Sequence, residues 1–199
     1  MEGIFFYWFM WLAWIITTFL MKKGKIRLKL TIFILITIIL SELYIIVGDF
    51  NVRVSLILFM ILGYYLAAKQ KKRKPVLFYM ITFTLMFAYA GIMLFRIYDP
   101  VWFLFDYRII VSVAISVLAI YLGKHSVQIY ALFIISVCQG ECLYWFILGE
   151  FHDGLTIGTA AFLDMLVIGC SIIYLWNMSQ TVILAIEQML QKPAKEKQG

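Results

Sequence analysis

Lys69-Gln70-Lys71-Lys72-Arg73-Lys74-Pro75 stands between two apolar runs, residues 52–68 and 76–95. A second basic stretch, Lys22-Lys23-Gly24-Lys25-Ile26-Arg27-Leu28-Lys29, follows the first apolar run, 3–21. Positive charge alternating with greasy segments marks a polytopic membrane protein, because Lys and Arg concentrate in the cytoplasmic loops. Working outward from these stretches, seven runs suit a helix across a roughly 30 Å hydrocarbon core. They are 3–21, 28–47, 52–68, 76–95, 100–122, 127–148 and 155–176, the third only just long enough. Of the 17 Lys and Arg residues, fourteen lie in the first, third and fifth connectors and the tail; Arg53, Arg96 and Arg108 lie on the other side. The expected fold is an all-α membrane protein, a seven-transmembrane helical bundle threaded N-out and C-in. Residues 1–177 would form the bundle and 178–199 a cytoplasmic amphipathic tail. In that tail Val182, Ile183, Ile186, Met189 and Leu190 share one stripe.

Composition agrees. Hydrophobic residues make up 64% of the 199 positions and charged residues 14%, against roughly 45–50% and about 25% in soluble domains. The bilayer must solvate most of such a chain, and short loops leave no room for a soluble domain. The net charge of +6 flanks membrane segments, so its partner is anionic lipid headgroups and not nucleic acid. No basic residue precedes the first run, which argues against a cleaved signal and for an anchor. All runs are expected to be helical, since backbone groups in lipid have only their own chain as partner. Pro75 and Pro100 suit first helical positions, and Asp99 suits an N-cap. Glycines 91, 140, 158 and 169 permit close packing, and Trp102, Trp145 and Trp176 fall near the interfaces.

Charges inside the membrane need an account, at about 2.5–3.5 kcal/mol each on insertion scales. From the rise per residue, Glu42 lies roughly 8 Å deep, Asp106 about 9 Å, Glu141 about 10 Å, Arg108 about 12 Å and Asp164 about 14 Å. All fall in the lysine-poor half. Arg108 continues into Ser112, Ser116, Ala119 and Gly123, a small stripe that lets a neighbouring helix approach. Asp164 sits among Ala160, Ala161 and Ser171, whereas Glu42 is near enough to the rim to snorkel. An Arg108–Glu141–Asp164 cluster is expected, opening outward with Asp106 and Arg96 at its mouth. Its use would be register fixing, ion or small-molecule binding, or catalysis.

Reaction motifs are missing: no His-Glu-x-x-His, phosphate loop, nucleophile elbow or dinucleotide fingerprint. Cys138 and Cys142 are spaced to share a helix face, but no His joins them, so no metal or other cofactor is expected. Glu150, His152 and Asp153 read as a solvated acidic loop, and His125 as a polar loop residue. Gly154 and Gly158 form a Gly-x-x-x-Gly suited to close helix packing at the start of the last span.

The opening MEGIFFYWFMWLAW (1–14), followed by KKGKIRLK (22–29) in a chain near 200 residues, resembles the YphA-type integral membrane proteins of Bacillus and relatives. The resemblance implies a protein of the cytoplasmic membrane of a spore-forming Gram-positive bacterium. It brings no catalytic motif, so no site residue is inherited from it. Three functions then compete. They are a non-enzymatic component that scaffolds or regulates a membrane-protein partner, a small permease or ion-binding protein, and an intramembrane enzyme acting on lipid.

Overall fold

Seven helices carry most of the chain in the computed structural model, which describes residues 2–48, 50–70, 75–150 and 155–196. They are α1 (Ile4–Ile15, prolonged by a π turn to Leu20), α2 (Lys25–Leu40), α3 (Val54–Ala68), α4 (Pro75–Tyr98), α5 (Tyr107–Leu122), α6 (Ser126–Gly149) and α7 (Ala160–Glu196). Three are both long and apolar enough to cross a bilayer: α4, α6 and the Ala160–Gln188 part of α7. The others are shorter. At 1.5 Å per residue the 16 residues of α2 reach only about 24 Å.

Three expected spans, 28–47, 52–68 and 155–176, are shortened because their ends are extended and not helical. β1 (Tyr44–Val47) and β2 (Phe50–Arg53) form an antiparallel hairpin around Gly48, which takes φ +61°. β3 (Thr156–Ile157) adds in parallel to β2, pairing Asn51 with Thr156 and Val52 with Ile157. Tyr44-Ile45-Ile46-Val47 is β-branched and aromatic, which suits a strand as well as a membrane helix. The hairpin satisfies its backbone by pairing, so the expectation of helix throughout fails here. The fifth span is also corrected. Asp99 does cap, accepting from Val101 N–H, but only a single 3-10 turn, Pro100–Trp102; α5 begins at Tyr107 with Asp106 as its N-cap. Pro75 opens α4 as its position predicts.

α6 is the hub, in contact with α3, α4, α5 and α7. Burial all round is what a central helix shows: Ala131 through Cys138, then Gly140, Glu141 and Tyr144, are buried. Two of the expected close approaches are present. A Cβ on Gly140 would lie 2.6 Å from the Tyr89 ring, and one on Gly169 2.0 Å from that of Phe133. Gly91 faces open space, and Gly158, at φ +79°, belongs to the turn before α7. The Gly-x-x-x-Gly pattern is therefore not on a helix at Gly158, and Gly154 lies outside the described residues. So do Lys71–Lys74, His152 and Asp153, as do the side chains of Trp102, Met189 and Leu190.

The N-terminus, the hairpin, β3 and the 99–106 connector gather at one end of the bundle. Glu2 borders one cleft with Tyr44, Arg53 and Thr156, and another with Arg96, Pro100 and Asp106. This is the lysine-poor end. At the other, Ser126 Oγ donates to Asn177 at 3.0 Å. α7 runs without a break past Asn177 into the tail, where residues 181–188 are exposed.

Candidate functional site

α1 has no local side chain to cap it. Gly3, at φ +90°, stands at its N-cap position with only backbone to offer. Asp164 of α7 supplies the missing acceptor, taking the N–H of Gly3 and that of Phe6, both at 2.8 Å. A carboxylate there also meets the positive end of the α1 dipole. The small residues predicted on α7 make the approach possible, for Ala160 Cβ lies 3.3 Å from where a Cβ of Gly3 would sit. Arg108 Nη1 donates to the same carboxylate at 2.6 Å. Arg108 is 13% exposed and Asp164 fully buried.

Arg108 is fixed by two further features. Its Nε donates to both oxygens of Asp106, at 2.9 and 3.0 Å, while Nη2 bonds Asp106 as well. Asp106 also accepts the backbone N–H of Arg108, 3.0 Å. The Arg108 side chain is the main cause holding the Asp106 carboxyl below its usual range. The predicted small stripe then packs against α7: Ser112, Ser116 and Ala119 are buried, and Ser112 Oγ donates to the carbonyls of Arg108 and Met165.

Glu141 is not part of this group, which corrects the expected triad. Its carboxylate accepts from Tyr89 Oη at 2.6 Å and from Trp145 Nε1 at 2.8 Å, with Gly158 N–H beside it. Met165, next to Asp164 on α7, faces this second group, its sulfur 4.0 Å from Tyr89 Oη. Successive helix residues point about 100° apart, so Asp164 and Met165 serve different neighbours. The basic side chain nearest in effect to Glu141 is Arg96, not Arg108, although no ion pair joins them.

Three depth assignments also change. Asp106 caps α5 and Arg108 lies in its first turn, so both sit at the rim. Glu42 lies in the turn after α2, exposed, where its carboxylate accepts from Tyr7 Oη; Ser41 joins at 3.0 Å. Sequence reasoning missed Tyr89 and the free end of α1. Gly140 held a clue to the first, since a glycine beside a buried acid makes room for a ring. The second left no trace beyond a glycine where a capping residue belongs.

At the mouth, Arg96 lays its guanidinium over the Tyr107 ring, 3.8 Å from the centroid. Arg96, Asp106 and Arg108 border a cleft of about 440 Å³, and Arg53 a neighbouring one of about 570 Å³. Arg96 and Asp106, the expected mouth residues, line the same cleft. Cys138 is buried and Cys142 half-buried, both as free thiols.

A family model described as YphA-like integral membrane protein matches residues 2–199. The chain is 31% identical over 199 residues to "Uncharacterized protein YphA" of Bacillus subtilis (strain 168), covering all of this chain and 98% of that protein. No solved structure matches.

Proposed function

Because the chain belongs to the YphA-like integral membrane protein family, we propose that it is a non-enzymatic, multi-pass protein of the bacterial cell membrane that scaffolds or regulates another membrane component. The observation carrying this is that the buried acids are closed by partners inside the bundle. Asp164 is spent on the end of α1 and on Arg108, and Glu141 on Tyr89 and Trp145. Buried ionic groups of this kind specify packing without further chemistry.

Seven spans, N-out and C-in, are the threading we favour. It is supported by the gathering of the N-terminus and of connectors two, four and six at the lysine-poor end, with Asn177 of α7 beside Ser126 at the other, as an odd number of crossings requires. α7 then extends on the cytoplasmic side as an exposed amphipathic segment, the natural place for a partner to dock. Mild crosslinking in cells followed by purification should recover one specific membrane protein, and removal of residues 178–199 should lose it. A protein that purifies without any partner under every growth condition contradicts the proposal.

A second reading, a small permease or ion-binding protein, draws on the charged cleft beside Arg108 and Asp106. In that case Glu141→Gln or Asp164→Asn abolishes a proton- or cation-coupled flux in liposomes. Unchanged flux in both variants removes it.

A further inference from the structure

Two of the charges lining the cleft beside Arg108 have no ionic partner among the described residues. Arg96, from the last turn of α4, is half-buried and stacked on Tyr107, yet no carboxylate comes within salt-bridge distance. Glu2 borders the same 440 Å³ cleft and pairs with no cation. The other charges of the cleft are already engaged, Asp106 being turned onto Arg108, which also reaches Asp164. Among the described residues, one cation and one anion are left facing a common space.

The cleft's depth follows from its rim. Tyr98, Val101, Leu104 and Phe105, in the connector from α4 to α5, are 88%, 81%, 90% and 77% exposed. Four such side chains are costly in water and well placed at the boundary between headgroups and acyl chains. Phe105 lines the cleft itself and the other three belong to the same connector, so the cleft opens where lipid headgroups lie. The Arg96 guanidinium also hydrogen-bonds the hydroxyls of Tyr107 and Tyr144, but these neutral partners leave part of its five N–H donors and all of its charge for an oxyanion.

We propose that this cleft binds a phosphoethanolamine-type zwitterion, its phosphate on Arg96 and its ammonium on Glu2, presented by a phospholipid headgroup. An anionic headgroup lacking the ammonium would meet Glu2 as a like charge, so the site selects against it. The proposal does not rest on the scaffolding role; loss of partner capture leaves it untouched.

The test uses the full chain in detergent, mixed with equimolar phosphatidylethanolamine and phosphatidylglycerol, with retained lipid counted by native mass spectrometry. Wild type should retain phosphatidylethanolamine with about fivefold preference, the size of one exposed ion pair. Arg96→Gln and Glu2→Gln should each bring the ratio close to unity. Glu2 lies outside every helix, so its variant separates lost binding from lost folding. Adding soluble phosphoethanolamine or inorganic phosphate identifies the source. Competition by phosphoethanolamine but not phosphate supports the zwitterion while assigning it to a free metabolite, and competition by neither assigns it to lipid. Phosphate competing as well as phosphoethanolamine overturns the proposal, as does no preference in wild type or an undiminished one in both variants.

Discussion

Asp164 accepts two N–H groups that α1 has no residue of its own to satisfy, and it balances a guanidinium at the same time. Removing the carboxylate leaves the N–H groups of Gly3 and Phe6 unsatisfied while Arg108 keeps Asp106, at about 1–3 kcal/mol for each buried donor. Asp164→Ala should therefore destabilise the detergent-solubilised protein by that much, which a lowered thermal midpoint reports. Arg108→Gln combined with Asp164→Ala should cost clearly less than the two single changes added, as coupled residues do; additivity would show that they do not interact. Asp106 gives a pH signature. Its carboxyl is held low in the folded state by Arg108, so the stabilisation is present above the unfolded value of about 3.9 and fades as pH falls through the lower folded value. Asp106 is 32% exposed, so the effect is small; the midpoint of wild type should fall more steeply below about pH 4 than that of Asp106→Asn. These roles were half legible. Depth counting singled out Asp164 and Arg108 as partners, but it placed Glu141 with them, because depth says nothing about which way a residue faces around its helix.

Whole elements were easier to find than their ends. Every expected apolar run contains a helix, since hydropathy reports burial in an apolar medium well. It does not tell helix from strand, and 44–47 and 52–53 became strands because β-branched residues flank the Gly48 turn. The same limitation hid the gap between Asp99 and Tyr107, whose apolar residues 101–105 read as membrane sequence. Packing between elements is sharper still, because glycine contacts are steric. Gly169→Val should destabilise by about 1–3 kcal/mol, since its side chain must displace the Phe133 ring under α6. Gly91→Ala, on the open face of α4, should be neutral or stabilise by up to about 1 kcal/mol through helix propensity. Comparing the two melting curves checks the packing of α6 without any functional assay. Equal losses would mean that α4 and α7 are not arranged around α6 as described.

At the scale of the molecule, the pattern that matters is where apolar side chains remain uncovered. Trp11, Ile15 and Phe19 on α1, Met80, Phe83 and Phe87 on α4, and Val113 and Val117 on α5 are exposed. On a soluble protein so wide a greasy surface would drive aggregation, whereas lipid covers it without penalty. On the proposed seven-span threading, the short helices would fit a bilayer by local thinning or by snorkelling of the flanking lysines, each at a fraction of a kcal/mol per Å. If seven crossings hold, ends joined in space must share a compartment. Single cysteines in a background with Cys138, Cys142 and Cys170 replaced test this directly. An impermeant thiol reagent added to intact cells should label Asn51→Cys and Val101→Cys, at the lysine-poor end, and should reach Gly24→Cys and Lys124→Cys only after permeabilisation. The reverse pattern would invert the threading. Labelling of Gly24→Cys together with Asn51→Cys would mean that α2 does not cross, and with that the lysine asymmetry would lose its topological meaning.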